Sequence, residues 1–216
     1  MIAAVVFDLD GVILESEQVW DDVREGLARE QGVPWSAQAQ ADMMGMSSPE
    51  WSRYLHEVVG LAGSPEELNN EVVRRMLDRY ANRLPLIDGA ADAVRRLAAR
   101  WPLGLASSSN RELIERALDV AGIAPLFQVT VSSEEVARGK PAPDVYLEAA
   151  TRLGVDSAAC TAVEDSTNGI RSASAAGMRV VAIPNATFGP ADDALGLADV
   201  VLDSIRELTP AAVESG

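Results

Sequence analysis

The stretch AVVFDLDGVILES, from Ala4 to Ser16, decides the fold. An apolar run leads straight into Asp8, and a second acid, Asp10, follows two positions later with Gly11 behind it. Residues two apart share a face of an extended chain, so these carboxylates would converge on one spot. Close carboxylates are stable when a divalent cation lies beside them or when one holds a proton. The pair indicates either a reactive site or, more plainly, a solvated strand end with a turn at Gly11.

Composition limits the class of protein and its partners. The chain has 216 residues, 48% hydrophobic and 24% charged, which is ordinary for a globular protein with a substantial core. The net charge of −15 argues against nucleic acid and anionic membranes as partners. A single cysteine, Cys160, excludes an internal disulfide. No apolar run approaches the about 20 residues of a membrane span. We therefore expect a cytoplasmic protein. We also expect a monomer or a weak dimer, although nothing in the composition decides the oligomeric state.

Short apolar runs alternate with amphipathic stretches along most of the chain. The runs predict strands at 2–8, 103–107, 128–132, 160–164, 179–183 and 199–202. The amphipathic stretches predict helices at 89–100, 110–121, 143–153 and 167–176. This alternation predicts an α/β fold, a doubly wound parallel sheet of the Rossmann-like kind with helices on both faces. The C-terminal TPAAVESG is expected to fray.

The segment 17–86 breaks the alternation. Its pattern predicts helices only, at 17–31, 36–43, 49–59 and 65–82. An insertion after the first strand would sit over the carboxyl edge of the sheet, where open α/β folds bind their ligands. We therefore expect two domains, an α/β core of residues 1–16 and 87–216 and a helical cap of residues 17–86.

Polar side chains also follow other strands of the predicted sheet. The second strand runs into Ser107, Ser108, Ser109 and Asn110. These would cap the next helix or, with its free N–H groups, cradle an anion.

Lys140 lies in a Gly-Lys-Pro turn, where it is either solvated or a point charge for a phosphate. Glu164 and Asp165 end the fourth strand of the sequence. They would cap the following helix or complete an oxygen-ligand set for Mg²⁺. Acids, hydroxyls and one lysine at four strand ends favour a shared site over coincidence.

Four motifs, FDLDGV, ASSSN, GKPAPD and VEDSTNG, occur in that order with a helical insertion after the first. In this respect the chain resembles the haloacid dehalogenase-like (HAD) superfamily, in the branch with a small α-helical cap, and within it the β-phosphoglucomutase-like phosphatases. The resemblance covers essentially the whole chain. It implies a Mg²⁺-dependent phosphatase that hydrolyses a small phosphorylated metabolite, such as a sugar phosphate, through an aspartyl-phosphate.

The resemblance also implies a role for each motif residue. Asp8 would be the nucleophile and Asp10 the general acid–base. The phosphoryl group would be held by Ser107, Ser108 and Lys140. Magnesium would be held by Asp8, the Asp10 carbonyl and Asp165, with Glu164 close behind. Secondary contacts would come from Gly11 and Asn110.

Two departures from the phosphomutase pattern separate the possible activities. Trp20 stands where the mutase has a histidine early in the cap, and Ser47 and Ser48 stand where it has an arginine. A mutase must exclude water and retain a second phosphate, so the missing cation favours hydrolysis. A hexose phosphomutase of the β-phosphoglucomutase type and a catalytically silent binding protein remain the alternatives.

Other cap side chains bear on the substrate. The apolar candidates are Trp20, Trp51, Met43, Met44 and Met46. These would pack the cap helices or, facing the cleft, suit a partly apolar substrate or stack on a sugar. The basic candidates are Arg74, Arg75 and Arg79, for which a solvated helix face is favoured over a role in the cleft.

Overall fold

A parallel sheet of six strands forms the centre of the computed structural model, which describes residues 1–43, 45–185 and 189–214. The strands are β1 (Ala4–Phe7), β2 (Leu103–Ser107), β3 (Phe127–Ser132), β4 (Cys160–Glu164), β5 (Arg179–Ala182) and β6 (Val200–Val201). Their order is β3-β2-β1-β4-β5-β6, and every neighbouring pair is parallel. The predicted doubly wound α/β fold is confirmed.

The helices include every predicted one and two short ones, at 192–195 and 210–214, that were not predicted. They are α1 (Glu17–Glu30), α2 (Ala37–Met43), α3 (Ser48–Tyr54), α4 (Pro65–Asn82), α5 (Ala90–Ala98), α6 (Arg111–Ala121), α7 (Asp144–Leu153), α8 (Thr167–Ala175), α9 (Asp192–Leu195) and α10 (Pro210–Glu214). A π-helical turn, Leu55–Val59, continues α3. The ends of the predicted helices differ from the observed ones by at most two residues.

Both faces of the sheet are covered, which explains why its strands read as continuous apolar runs. In β1, Val5 and Phe7 pack in one apolar cluster with buried residues of α5 and α6. Ala4 and Val6 face the opposite cluster, which includes buried residues of α7 and α8. All four side chains are fully buried.

The position of β1 in the sheet places the motif residues together. Phe7 pairs with Leu105 of β2 on one side and with Val163 of β4 on the other. The residues that follow β1 and end β2 and β4 therefore share one edge. Asp8 follows β1, Ser107 ends β2 and Glu164 ends β4.

The helices α1 to α4 lie between β1 and α5 in the chain, within the predicted cap segment. The chain enters and leaves them side by side, because Glu15 N–H donates to Pro85 O at 2.8 Å and Ile87 N–H donates to Ile13 O at 2.9 Å. Helix α4 contacts α1 and α3 and also reaches α6. The domain boundaries at residues 16–17 and 86–87 stay a prediction.

The C-terminus differs from expectation. Residues 210–214 form α10, so the prediction that this tail frays is wrong for them. Val213 is fully buried in the apolar cluster that contains Val5 and Phe7 of β1, and its carbonyl accepts a hydrogen bond from Thr161 Oγ1 at 3.3 Å. Burial of one apolar side chain therefore anchors a segment whose sequence is otherwise polar or small. No helix among the described residues has the length and apolarity needed to cross a membrane.

Candidate active site

Asp8 follows β1 directly and lies at the centre of the polar cluster. Its N–H donates to Val163 O at 3.0 Å, which continues the β1–β4 pairing by one residue. Its side chain is 8% exposed, and Oδ1 accepts a hydrogen bond from Lys140 Nζ at 2.7 Å. Lys140 also donates to Glu164 Oε1 at 2.5 Å. The lysine of the Gly-Lys-Pro turn is thus buried between two acids at the sheet edge rather than solvated.

Glu164 uses both carboxylate oxygens within the protein. Besides Lys140, Oε1 accepts from Tyr146 OH at 2.8 Å. Oε2 accepts the N–H groups of Asp165 at 3.0 Å and Ser166 at 3.2 Å. Ser166 also caps α8 by accepting from Gly169 N–H at 3.1 Å. Glu164 is therefore a buried anchor for Lys140 and for the start of α8.

Asp165 has an open carboxylate oxygen. Its Oδ1 is buried and has no hydrogen-bond partner among the described residues. Asp8, Glu164 and Asp165 each offer one carboxylate oxygen, and the three atoms lie within 4.8 Å of one another. Gly11 makes room for this arrangement: its φ is +81°, and a Cβ there would lie 1.9 Å from Asp165 Oδ2. A buried, oxygen-only donor set with an unpartnered acceptor fits a hard divalent cation.

The electrostatics also favour a cation at this cluster. Burial raises the pKa of Asp8 to about 8, with Glu164 and Asp10 adding to the rise and Lys140 opposing it. Burial and the charges of Glu164 and Asp8 raise the pKa of Asp165 well above its usual range. Burial alone would lower the pKa of Lys140, but the two neighbouring carboxylates leave it raised. One ammonium does not balance these acids.

Asp10 is half-buried and held by three donors from two parts of the chain. Ser16 Oγ and Trp20 Nε1 both donate to Oδ1, the indole at 3.4 Å. Ser109 Oγ donates to Oδ2 at 2.7 Å. These contacts fix the carboxylate at the boundary between the sheet edge and α1.

The remaining predicted residues lie around this centre in different ways. Ser108 lines the cleft, and its Oγ donates to Gly45 O at 3.3 Å. The Ser107 hydroxyl is fully buried and accepts the N–H of Ser109 at 3.0 Å. Asn110 lies away from the cleft lining and donates to Asn69 Oδ1 at 3.1 Å. Their assigned roles in phosphate binding and secondary contact stay predictions.

A cleft of about 490 Å³ lies above the sheet edge, within the range of about 300 to 1,000 Å³ typical of small-molecule sites. From the core it is lined by Asp8, Asp10, Ser108, Ser109, Lys140 and Asp165. From the segment 17–86 it is lined by Glu17, Trp20, Arg24, Asp42, Met43, Met46 and Trp51, among others. The indoles therefore both pack α1 against α3 and face the cleft. Met44 lies outside the described residues.

Arg24, a cation that the segment 17–86 adds to the cleft, was not predicted from the sequence. Arg24 is 5% exposed, and its guanidinium carbon lies 4.7 Å from the ring centre of Trp20 and 5.1 Å from that of Trp51. The spacing from Trp20, four residues along α1, was the available signal, because such residues share a helix face. The three arginines considered from the sequence lie on α4 outside the cleft lining; Arg74 and Arg75, for example, form ion pairs with Glu71.

Comparison with known proteins relates this geometry to characterised chains. A family model described as haloacid dehalogenase-like hydrolase matches residues 2–177. Hexitol phosphatase B of Escherichia coli K12 is 33% identical over 96% of this chain and 95% of its own length. Fructose-1-phosphate phosphatase YqaB of the same strain is 32% identical over 83% and 95%. The crystal structure of CbbY from Rhodobacter sphaeroides with phosphate superposes with a TM-score of 0.86 and 27% identity, over 99% of each chain.

Proposed function

The chain belongs to the haloacid dehalogenase-like hydrolase family and is a phosphoric monoester hydrolase, and we propose that it attacks small sugar-type phosphates with Asp8 and manages protons with Asp10. The observation that carries the proposal is the Asp8–Lys140 pair at 2.7 Å, with Asp10 held two residues along and Asp165 unpartnered beside it. Lys140 occupies one oxygen of Asp8. No described residue donates to the other, Oδ2, so we assign the attack to that atom.

Two steps account for hydrolysis. In the first, Asp8 Oδ2 bonds to phosphorus, the ester P–O bond breaks, and Asp10 gives its proton to the departing oxygen. In the second, Asp10 takes a proton from water as the water oxygen bonds to phosphorus, and the Asp8–phosphorus bond breaks to release inorganic phosphate. Lys140 stabilises the negative charge on the transferring group and helps keep Asp8 ionised.

Magnesium fits the donor set described above, and we propose that Asp8, the Asp10 carbonyl and Asp165 would hold it. Glu164 takes a supporting place, because both of its oxygens already accept hydrogen bonds. The ion, when bound, would supply positive charge that favours ionised Asp8 and offsets charge on the phosphoryl oxygens. Lys140 would still orient the phosphoryl group, and Asp10 would still transfer the protons.

Hydrolysis is preferred over mutase chemistry on one observation. In the loop before α3, Ser47 is the N-cap of that helix and its hydroxyl donates to Glu50, and none of the described residues of this loop adds a cation to the cleft lining. Among the described residues of the segment 17–86, Arg24 is the one cation that lines the cleft, and the acids Glu17 and Asp42 line it from the same segment. This charge balance supports release of phosphate rather than retention of a bisphosphate.

The test is a phosphate-release screen over several dozen phosphate esters with Mg²⁺. We expect release with wild type and no measurable release with Asp8→Asn, while Asp119→Asn, an exposed acid on α6, keeps full activity. Near-wild-type turnover by Asp8→Asn would remove Asp8 as the nucleophile. Incubation with β-glucose 1-phosphate and a trace of bisphosphate gives the second comparison, because isomerisation without phosphate release would indicate a mutase.

A further inference from the structure

We propose that Arg24 and Glu17 form the subsite that binds the leaving group, and that this subsite recognises the hydroxyls of an uncharged polyol or sugar carried by the phosphate. The inference rests on the proposed phosphatase function and names the substrate class for the same cleft. It identifies two specificity-determining residues outside the four motifs.

Arg24 is a buried cation whose hydrogen-bond donors no described residue accepts. No hydrogen bond or ion pair joins its guanidinium to a described residue, and Nε is buried without an acceptor. A guanidinium offers five N–H donors in a planar fork, and leaving them unused in a buried site is costly. The indoles of Trp20 and Trp51 hold the side chain by cation–π contact without using its donors. Nε itself is enclosed, but the terminal nitrogens Nη1 and Nη2 are not among the enclosed atoms, so their donors are available to a ligand in the cleft.

The helix α1 places the Arg24 guanidinium on the side of the cleft toward which the leaving group would extend from Asp10. Glu17, Trp20 and Arg24 are spaced i, i+3 and i+7, so they form one stripe of α1, and all three line the cleft. Trp20 ties the stripe to the reacting end, because its Nε1 donates to Asp10 Oδ1 and its ring lies under Arg24. A leaving oxygen next to Asp10 would extend its carbon chain across the Trp20 indole toward Arg24.

The balance of charge selects hydroxyls over a second anion. Glu17 and Asp42 face the cleft from the same side as Arg24, so a second phosphate or a carboxylate would meet two acids and one cation there. Neighbouring hydroxyls suit both partners, because their oxygens accept from the guanidinium fork while their protons bond the Glu17 carboxyl. The indole face of Trp20 fits the C–H side of such a chain.

The experiment compares two esters on matched variants. Sorbitol 6-phosphate has a polyhydroxylated leaving group, whereas p-nitrophenyl phosphate has none of its hydroxyls. We expect Arg24→Met to lower kcat/KM for the sorbitol ester about 10- to 100-fold, the loss expected for hydrogen bonds to a charged group, and for the aryl ester less than about 3-fold. Glu17→Gln should show the same selectivity with a smaller loss. Arg24→Lys, which keeps the charge but not the fork, should fall between wild type and Arg24→Met.

Arg29→Met, an exposed arginine on the same helix, is the control and should leave both esters unchanged. Thermal unfolding of each variant separates loss of fold from loss of recognition. Equal losses on both esters in folded Arg24→Met and Arg24→Lys, or no loss on the sorbitol ester, would overturn the subsite. So would wild type preferring fructose 1,6-bisphosphate, or cleaving only the aryl ester. Phosphate release from none of these esters would instead overturn the phosphatase assignment itself.

Discussion

The Oγ of Ser109 lies 2.7 Å from Oδ2 of Asp10, and this hydrogen bond joins the end of β2 to the loop after β1. The other oxygen of Asp10 is held from the opposite side by Ser16 and Trp20. The carboxylate is thus oriented jointly by the sheet edge and by the start of α1. Its aim at a leaving oxygen depends on all three donors.

Removing the Ser109 hydroxyl tests this orientation. We expect Ser109→Ala to lower kcat about 10-fold with little change in KM, because one hydrogen bond to a carboxylate is worth about 1.5 kcal/mol and its loss misaligns proton transfer. Ser52→Ala, which removes an equally buried hydroxyl on α3, is the control and should keep wild-type kcat. Steady-state kinetics on one ester suffice. A wild-type kcat in Ser109→Ala would mean that Asp10 is aligned without it.

The strand ends and their polar residues were predictable because the signals are local. Short apolar runs marked β2 and β4 to the residue, and parallel order then placed Asp8 and Glu164 at one edge. Arg24 was not predictable in the same way. One arginine in an amphipathic helix reads as solvated, and its burial depends on Trp51, which arrives from α3 through tertiary packing.

The different roles of Glu164 and Asp165 likewise could not be predicted from the sequence. Glu164 and Asp165 are adjacent in the sequence, and either carboxylate could be the ligand of a cation. In the structure Glu164 is saturated by Lys140, Tyr146 and backbone N–H groups, whereas Asp165 keeps a buried oxygen without a described partner. Two of the donors that saturate Glu164, Lys140 and Tyr146, lie 24 and 18 residues away in the chain, so local sequence does not show which of the two adjacent carboxylates keeps an open oxygen.

Gly169 leaves the space that the Glu164 carboxylate occupies. A Cβ at Gly169 would lie 1.8 Å from Glu164 Oε1, so the buried anchor of Lys140 would have to move. We expect Gly169→Ala to lower the free energy of unfolding by about 1 to 3 kcal/mol and to impair catalysis. Gly26→Ala is the matched control, because a Cβ at Gly26 would lie 4.0 Å from Arg29 Nη2, and alanine is better than glycine in a helix by about 1 kcal/mol. In thermal unfolding, Gly169→Ala should have a lower Tm than wild type and Gly26→Ala a higher one. A Gly169→Ala protein as stable as wild type would contradict the packing described.

Glu17 should make stability depend on pH. Burial, with the charge of Asp10, raises its pKa from 4.5 to about 7 in the folded protein. The folded state then binds the Glu17 proton more tightly than the unfolded state does. The contribution of this proton to the free energy of unfolding is complete below about pH 4.5 and is lost as the pH rises through about 7. As the pH rises between these limits, the free energy of unfolding of Glu17→Gln should therefore increase by about 1 to 2 kcal/mol relative to that of wild type. This figure is reduced because Glu17 is partly exposed.

The comparison with wild type cancels the titration of the other buried acids. Glu25→Gln makes the same change at an exposed position of α1 and should show no such trend. Denaturant unfolding at several pH values gives the measurement. Parallel curves for wild type and Glu17→Gln would show that Glu17 keeps an ordinary pKa.

Asp165 should govern the response to divalent metal. Its carboxylate is buried beside Asp8 and Glu164 and raises the local negative charge, so Asp165→Asn should leave the metal-free protein at least as stable as wild type. Magnesium added after EDTA treatment should raise the Tm of wild type, because a ligand that binds the folded state stabilises it by about 2.7 kcal/mol at one hundred times its Kd. Asp165→Asn should lose most of that rise, whereas Asp119→Asn should keep it. If magnesium raised the Tm of Asp165→Asn as much as that of wild type, the ion would bind elsewhere and Asp165 would be removed from the proposed ligand set.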